Sequence, residues 1–251
     1  MKIGIIGVGV VGGAVKNGFN AFNIPVAAYD IAKPELGTLD AALASDVIFV
    51  CLPTPTVNGQ QDLSAIIEIF GKASGCQGVL ALKSTVLPGT TASLAKQFPG
   101  LKIVHQPEFL TQARANQDFI EQRIAFIGGL ESYAVKSAYG MLRIDTRCLT
   151  DPTVTELIKY THNLGLATQV SFLNDIFDVC ARVGVNYDEV IRGALQLGKI
   201  APSHSRVPGP DGKRGYGGMC FPKDIAAILG WYGPGLDTLE GVANTNKRVR
   251  K

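Results

Sequence analysis

The chain has 251 residues, 46% hydrophobic and 18% charged, which suits one large domain or two small ones with a buried core and excludes a mainly disordered chain. The net charge is +3, and four positive charges lie in Lys247–Lys251, so no basic face for nucleic acid is expected. Because no apolar run reaches the ~18 residues of a membrane helix and the N-terminus lacks the pattern of a cleavable leader, we expect a soluble, cytoplasmic protein without membrane contact.

The first 150 residues alternate short apolar runs with segments of helical pattern. The predicted strands are Lys2–Gly7, Pro25–Asp30, Asp46–Leu52, Gly78–Lys83, Leu101–His105 and Arg123–Gly128. The predicted helices lie between most of them, at Ala14–Ala21, Thr38–Ala44, Leu63–Ala73, Thr90–Lys96 and Glu131–Arg143. This alternation predicts an α/β fold, a doubly wound parallel sheet with helices on both faces.

A different pattern follows. From Thr153 to Gly184 apolar residues recur at helical spacing with no turn signal except Gly165, which predicts a helix far longer than the average of ~11–12 residues. We expect this long helix to be a domain hinge and the core of a homodimer. Two shorter helices are predicted after it: Tyr187–Leu195 and Lys223–Trp231. The sequence therefore predicts two domains, a dinucleotide-binding domain at 1–150 and an all-helical domain at 151–251.

A glycine-rich turn, Gly7–Gly12, follows the first predicted strand and opens a helix. Its glycines permit a tight turn, and the helix start offers free N–H groups to a pyrophosphate, as in Rossmann-type folds. Asp30 ends the second strand, where its carboxylate can accept from both ribose hydroxyls and would repel a 2′-phosphate, which favours NAD over NADP. The alternative is a tight turn without a ligand. The residues predicted to bind the cofactor here are Gly7, Gly9, Val10, Val11, Gly12 and Asp30.

Cys220 stands at the predicted start of a helix, after a glycine-rich approach. The positive end of a helix and the nearby Lys223 both lower a thiol's pKa and favour the thiolate, and Pro222 is well placed as the first helical residue. Gly217 and Gly218 would leave room for a substrate to reach the sulfur. We therefore predict that Cys220 is a nucleophile.

The five cysteines are odd in number, scattered and never spaced C-x-x-C. This pattern favours a reducing compartment over a disulfide framework or a structural zinc site. With only three histidines in the chain, we predict no metal centre. The four cysteines other than the candidate nucleophile are interpreted as small buried hydrophobic residues: Cys51, Cys76, Cys148 and Cys180.

Three polar residues share one face of the long helix. Glu156, Lys159 and Asn163 are spaced by three and four positions, which places their side chains together. A lysine held in a cleft can carry a proton or stabilise an oxyanion, and an adjacent amide can orient water or substrate. The alternative is a solvated stripe on the helix surface.

Turns with proline, threonine and glutamate follow three predicted strands, at Pro53–Pro55, Lys83–Thr90 and Gln106–Leu110. In a doubly wound fold ligands bind outside the carboxyl ends of the strands, so these turns suit a site, although each alone would be ordinary turn chemistry. We assign Pro53, Thr54 and Thr85 to the cofactor, and Glu108, Phe109 and Leu110 to the substrate.

Together these segments resemble the UDP-glucose/GDP-mannose dehydrogenase family, the nucleotide-sugar dehydrogenases. The matches run in family order across almost the whole chain: Gly7–Gly12, Asp30, Pro53–Pro55, Lys83–Thr90, Pro107–Leu110, Glu156–Asn163 and Gly215–Asp224. In that family an NAD-dependent enzyme oxidises the C6 alcohol of a nucleotide sugar to the acid with two hydride transfers. A two-step oxidation needs a covalent holding group so that the aldehyde does not escape.

The resemblance implies a role for each matching residue. Cys220 would trap the aldehyde as a thiohemiacetal and become a thioester after the second hydride transfer. Lys159 and Asn163 would stabilise the oxyanion, and Asp224 would support a water or proton relay. Glu108 would assist thioester hydrolysis and Thr85 would help to position water.

The loop Ser203–Gly218 lies where the family loop holds the sugar nucleotide. Three cations in this Gly- and Pro-rich segment suggest contact with a pyrophosphate, and the alternative is a solvated loop. The cations are Arg206, Lys213 and Arg214. The residues of this region predicted to bind substrate are His204, Arg206, Arg214, Tyr216 and Gly217, together with Lys159 and Asn163 of the long helix.

Two departures from the family pattern matter. The family usually has a second acidic residue four positions after the glutamate of Pro-Glu-Phe-Leu, and here that position is Gln112. Family members also carry a further C-terminal α/β domain, which would begin near Lys251. We therefore expect a short form, a chain that needs another subunit, or a remnant.

Two other functions remain open at this stage. A two-domain β-hydroxyacid dehydrogenase, of the 3-hydroxyisobutyrate or 6-phosphogluconate type, also has a Rossmann domain, a long helix and a Lys/Asn pair. That class makes one hydride transfer and needs no cysteine, so Cys220 discriminates against it. The other alternative is a non-catalytic NAD-binding protein, which would not need a nucleophile. The leading prediction is oxidation of a nucleotide sugar, with UDP-glucose as the default substrate.

Overall fold

The computed structural model describes residues 1–251, which divide into two compact units. The first unit comprises residues 1–55 and 61–159, and the second comprises residues 56–60 and 160–251. The boundary therefore lies within the long helix, about nine residues beyond the position expected from the change of sequence pattern.

The first unit is built on a seven-stranded sheet. Its strands are β1 (Ile3–Ile6), β2 (Val26–Tyr29), β3 (Val47–Val50), β6 (Val79–Leu82), β7 (Lys102–His105), β8 (Ile124–Gly128) and β9 (Asp145–Leu149), while β4 (Thr56–Val57) and β5 (Gln60–Gln61) form a separate hairpin. The sheet order is β2-β1-β3-β6-β7-β8-β9, and every pair is parallel except β7 with β8. The predicted doubly wound, mostly parallel sheet is confirmed.

Helices cover both faces of this sheet. They are α1 (Val10–Ala21), α2 (Leu39–Leu43), α3 (Ser64–Lys72), α4 (Thr90–Gln97), α5 (Ala115–Glu121) and α6 (Ser132–Met141). The central strands β1, β3 and β6 are buried at every position, as expected of parallel strands covered on both sides. Their side chains alternate between two apolar cores, one around Phe19, Phe49 and Tyr139 and one around Ile48, Ile66 and Phe70.

β2 and β3 flank β1 on opposite sides, so the direction in which successive strands are added to the sheet reverses at β1. The carboxyl end of β1 is therefore a topological switch point, where open α/β sheets bind their ligands. The glycine-rich turn occupies this position.

The second unit is helical. The long helix α7 (Pro152–Val183, 32 residues) runs into it from the first unit, and it is followed by α8 (Tyr187–Gln196), α9 (Phe221–Tyr232) and α10 (Asp237–Val249). One apolar cluster joins α7, α9 and α10 through Ala167, Ile225 and Val242. A second joins α7 and α8 through Leu173 and Ile191.

The β4–β5 hairpin contributes residues 56–60 to this second unit and packs against α9. The contact is backbone to backbone, because a β-carbon on Gly230 would lie 2.3 Å from the carbonyl oxygen of Gly59. Glycine at both positions therefore allows the hairpin to approach the helix whose first turn follows Cys220.

Several elements differ from the prediction. The hairpin, β9, α5 and α10 were not predicted, and Cys148, interpreted as a buried filler, is exposed on β9. The strand β9 is at the edge of the sheet, so its sequence Asp-Thr-Arg-Cys-Leu need not be apolar. Cys51 and Cys76 are partly buried, and Cys180 is buried as expected.

Candidate functional site

The glycine turn after β1 has the backbone that a dinucleotide site needs. Gly7 has φ +85°, and a β-carbon on Gly12 would lie 1.9 Å from the Gly7 carbonyl oxygen, so neither position tolerates a side chain. Gly9 faces open space. It caps α1 without a side-chain hydrogen bond, so the first N–H groups of α1, at Val10 and Val11, are available to an anion.

Asp30 and Lys33 hold this turn from the end of β2. The Asp30 carboxylate accepts from the backbone N–H of Val8 at 2.6 Å and of Ala32 at 2.9 Å. The Lys33 ammonium donates to the Val8 carbonyl at 2.6 Å. Lys33 was not predicted as a site residue, although a cation three residues after the Asp30 carboxylate is visible in the sequence.

A cleft of about 440 Å³ opens beside the turn. Gly9, Val10 and Gly13 line one side, and Gln112 and Arg114 line the other. Arg114 is also paired with Glu121 at 3.3 Å. The cleft and the open face of Gly9 together leave space for the pyrophosphate of a dinucleotide.

The threonines at the strand ends join two loops of the first unit. The buried Thr54 hydroxyl donates to the Thr85 carbonyl at 2.8 Å, and Gln61 Nε2 donates to the same oxygen at 3.0 Å. The hydroxyl of Thr54 is thus used within the protein, whereas Pro53 beside it is exposed. Thr85 is buried.

Glu108 and Lys159 form a buried ion pair in the first unit. The Lys159 ammonium lies 3.0 Å from Glu108 Oε1 and donates to the Glu108 carbonyl at 2.6 Å, and Glu108 Oε2 accepts from the Leu110 N–H. Burial alone raises the pKa of Glu108, but the Lys159 charge and the Leu110 hydrogen bond outweigh it and hold the pKa below its usual range. Glu108 is therefore ionised at neutral pH and suited to act as a base. Phe109 packs under the ammonium, 5.3 Å from it.

A buried polar group lies behind the Pro107–Glu108 turn and was not predicted. Lys83 Nζ donates to Gln106 Oε1 at 2.6 Å, and the Tyr139 hydroxyl donates to the same oxygen at 2.7 Å. Gln106 in turn donates to the Pro107 carbonyl. Burial lowers the pKa of Lys83 to about 8. The group supports the turn from inside the core, and of its members Lys83 and Gln106 were named in the sequence as parts of strand-end motifs, whereas Tyr139 was not.

Glu156 has a structural role at the start of α4. Its carboxylate accepts from the N–H groups of Gly89 and Thr91 and from the Thr91 hydroxyl, at 2.6 to 2.7 Å. It thereby caps the N-terminus of α4, whose own N-cap Gly89 offers no side chain. Burial raises its pKa.

Cys220 is exposed and occupies the N-cap position of α9 in the second unit. The expected location at the positive end of a helix is present. The helix begins one residue earlier than predicted, at Phe221, so Pro222 is its second residue. Proline is tolerated there, because the N–H groups of the first turn have no helical partner.

Asp224 is fully buried and holds two other candidates. Asn163 donates to its Oδ2 at 2.6 Å, and the Lys223 ammonium lies 2.5 Å from its Oδ1. The structure thus joins Asn163 and Asp224 as predicted members of a site. Lys223, expected to lower the pKa of the Cys220 thiol, also pairs with Asp224.

The loop residues assigned to substrate have different surroundings. Arg214 is ion-paired with Asp178 at 2.7 Å and stacks on Phe177, whereas Arg206 is exposed. The His204 ring packs 5.3 Å from the Phe221 ring. Tyr216 is buried and donates its N–H to the Asn246 side chain. Gly217 packs against the Arg250 guanidinium instead of leaving open space, and only Gly218 faces an empty region.

No cluster of His, Cys, Asp and Glu side chains could hold a metal ion. None of the helices, including the 32-residue α7, combines the length and the apolar character needed to cross a membrane.

Comparisons with known proteins place this arrangement in one family. Residues 36–141 match the NAD binding domain, and residues 153–248 the central domain, of the UDP-glucose/GDP-mannose dehydrogenase family. The UDP-glucose 6-dehydrogenase of Rhizobium meliloti (strain 1021) is 34% identical over 207 residues, which are 75% of this chain and 46% of that protein. The chain spans about half the length of the curated relatives it matches.

Solved structures show the same fold. A UDP-glucose dehydrogenase from Pyrobaculum islandicum superposes with a TM-score of 0.84 at 24% identity, over 98% of this chain and 68% of that one. The 3-hydroxyisobutyrate dehydrogenase of Mycobacterium tuberculosis superposes with a TM-score of 0.75 at 17% identity, over 98% and 92% of the two chains. Since both domain models of one family match in order along the chain, the protein belongs to the UDP-glucose/GDP-mannose dehydrogenase family.

Proposed function

We propose that the protein oxidises the C6 alcohol of a nucleotide sugar to the carboxylic acid, with NAD as the oxidant and UDP-glucose as the default substrate. The observation that carries the proposal is Cys220 at the N-cap of α9, exposed, in the same helical unit as the buried Asn163–Asp224 pair. Family membership and the relative from Rhizobium meliloti support the substrate class.

The residues of the first unit fit NAD. The pyrophosphate would lie on the N–H groups of Val10 and Val11, in the cleft beside Gly9, and Asp30 would accept from the adenosine ribose. The same carboxylate disfavours the 2′-phosphate of NADP. We assign Pro53, Thr54 and Thr85 to the nicotinamide half of the cofactor. The hydrogen bond from Thr54 to Thr85 would hold their two loops together. When bound, NAD supplies the acceptor for both hydrides.

The catalytic side chains would then act in different steps of the reaction. The Cys220 thiolate adds to the aldehyde carbon formed by the first oxidation, and the resulting thiohemiacetal oxyanion is stabilised by Lys159 and Asn163. The second oxidation leaves a thioester on the sulfur. Glu108, ionised beside Lys159, takes a proton from water held near Thr85, and hydroxide attack breaks the C–S bond to release the acid and the thiolate. Asp224 holds the Asn163 amide in place and, with Lys223, supports a water or proton relay.

Substrate recognition is assigned to the loop before α9 and to the Pro107–Leu110 turn. Arg206 is exposed and able to meet a diphosphate, whereas Arg214 would have to leave or share Asp178. The remaining residues assigned to substrate are Phe109, Leu110, His204, Tyr216 and Gly217. The choice between these contacts is a matter for binding experiments with UDP and with the sugar moiety.

We also propose a homodimer that uses α7. Phe172, Val179 and Val183 are each more than half exposed on this helix, although they are large and apolar. A contiguous apolar stripe on a helix favours association with another protein surface. A second copy would bury it symmetrically.

The stoichiometry of NADH formation tests the proposed reaction. Purified chain is mixed with a limiting amount of UDP-glucose, GDP-mannose or a UDP-N-acetyl sugar and excess NAD. We expect two NADH per sugar consumed, because each molecule passes through aldehyde and thioester stages. A ratio of one, with a small hydroxyacid as the preferred substrate, would contradict the proposal.

The second candidate function is a β-hydroxyacid dehydrogenase. The observation in its favour is the fold, because the Mycobacterium tuberculosis 3-hydroxyisobutyrate dehydrogenase superposes on this chain with a TM-score of 0.75. That reaction involves one hydride transfer and no nucleophilic cysteine, so the exposed Cys220 at a helix N-cap would have no task. The same stoichiometry experiment separates the two.

A further inference from the structure

Two residues at the C-terminal end of α10 make polar contacts with the loop that precedes Cys220. Arg250 Nη1 donates to the carbonyls of Arg214 at 3.2 Å and Gly215 at 3.5 Å, and its Nη2 is ion-paired with Asp211. One turn earlier, Asn246 Oδ1 accepts from the Tyr216 N–H at 2.7 Å. Asn246 and Arg250, here called the clamp, thus make four polar contacts along residues 211–219, here called the cysteine loop.

The clamp residues fill the space that a side chain would need at two glycines of the cysteine loop. A β-carbon on Gly217 would lie 2.0 Å from Arg250 Nη2, and one on Gly215 would lie 2.3 Å from Asn246 Oδ1. Gly215 also has φ +71°, but Gly217 does not have a left-handed backbone. The guanidinium alone therefore fills the space at position 217, and it would have to move to admit a side chain there.

We propose that Arg250 and Asn246 are positioning residues for the nucleophile, which they fix by ordering the cysteine loop. The inference rests on the proposed function, since it concerns how Cys220 meets its substrate. The loop has no helix or strand of its own, and Met219 beside the cysteine is 77% exposed, so Tyr216 is the only buried residue that anchors it by apolar packing. Fixing the loop residues costs conformational entropy, which the clamp offsets before substrate binds. A displacement of the sulfur by about 1 Å can cost about 100-fold in rate.

Four variants of the full chain test this inference through NADH formation: Arg250→Ala, Gly217→Ala, the double variant and Arg250→Lys. We expect Arg250→Ala to lower kcat by about 10- to 100-fold with the KM for NAD unchanged, because the NAD-binding residues lie in the other unit. Gly217→Ala should have a similar effect, since its methyl group displaces the guanidinium. In the Arg250→Ala background the same methyl group meets no obstacle, so adding Gly217→Ala should change kcat by less than about 2-fold. Arg250→Lys should recover part of the loss.

Arg248→Ala is the matched control. It removes the same charge from the same helix end, but Arg248 pairs with Asp175 and Asp178 on α7, and it is linked to the cysteine loop only through Asp178, whose other oxygen contacts Arg214. Amide hydrogen exchange adds a readout that needs no turnover. We expect Arg250→Ala to speed exchange in residues 211–219 by about 10-fold and Arg248→Ala to leave it unchanged.

The outcomes separate the two proposals. If no nucleotide sugar yields NADH with the wild-type chain, the proposed function fails, and the exchange rates still decide whether the clamp orders the loop. The inference is overturned if Arg250→Ala leaves both kcat and loop exchange as in the wild type. It is equally overturned if Gly217→Ala costs the same in both backgrounds.

Discussion

At the scale of single residues, the candidate site depends on charged groups that already have partners inside the protein. Glu108 is paired with Lys159 in the first unit, and Asp224 is held by Asn163 and Lys223 in the second. Burying a charge without a partner is costly, so the loss of one partner should destabilise the unit that carries the pair. The same pairing fixes the direction in which each side chain points, which is what a reaction requires of it.

The Glu108–Lys159 pair predicts a pH-dependent contribution to stability. Because the folded-state pKa of Glu108 is lowered below 4.5, the pair stabilises the protein above that pH, and the contribution is lost as the pH falls through the folded value. Glu108→Gln should lower the free energy of unfolding by about 3 kcal/mol at pH 7, because the Lys159 ammonium stays buried without the opposite charge of the carboxylate. Urea unfolding at several pH values measures the difference, which should shrink below pH 4.5.

Glu121→Gln is the control for that experiment. Glu121 pairs with Arg114 on the surface, with both side chains more than half exposed, so its loss should cost less than about 1 kcal/mol at any pH. Equal stability of Glu108→Gln and the wild type at pH 7 would show that the pair adds nothing to the fold.

Residue identity was predictable where the chemistry is local, and partner choice was not. The glycine turn, Asp30 and the cysteine at a helix start are all readable from short motifs. The contact of the Lys223 ammonium with Asp224 was not predicted, and Gly217 was expected to be open, yet Arg250 fills the space. These contacts depend on where distant segments meet, which spacing along the chain does not specify.

At the scale of elements, strands buried on both faces were the easiest to predict, because a run of apolar residues bounded by turns has few alternatives. The edge strand β9 and the polar helix α10 were missed, since neither has the apolar pattern of a buried element. The β4–β5 hairpin was missed although Asn58-Gly59 is the strongest short hairpin signal, and both residues have positive φ.

The capping of α4 by Glu156 gives a prediction at this scale. The helix has only eight residues and no side-chain cap of its own, so it relies on a carboxylate from α7. Glu156→Ala should cost about 2 kcal/mol of stability and speed amide exchange at Gly89 and Thr91. Glu68→Ala, which removes a surface pair with Lys72, is the control and should change neither. Unchanged exchange at Gly89 and Thr91 in Glu156→Ala would mean that the cap is dispensable.

At the scale of the whole molecule, the fold limits the possible reactions but does not select one. A UDP-glucose dehydrogenase and a 3-hydroxyisobutyrate dehydrogenase both share this architecture, at low sequence identity to this chain. Both kinds of reaction need a dinucleotide at the carboxyl ends of the strands. The difference lies in one side chain, because only the oxidation of an alcohol to an acid needs a sulfur that holds the intermediate.

Acid formation by Cys220→Ser is therefore the most direct test of this account. The wild-type chain, given UDP-glucose and NAD, should produce the sugar acid with two NADH for each molecule. Cys220→Ser should produce no acid above background, while Cys148→Ser, which alters another exposed cysteine on β9, should match the wild type. Acid formation by Cys220→Ser at the wild-type rate would contradict the covalent mechanism.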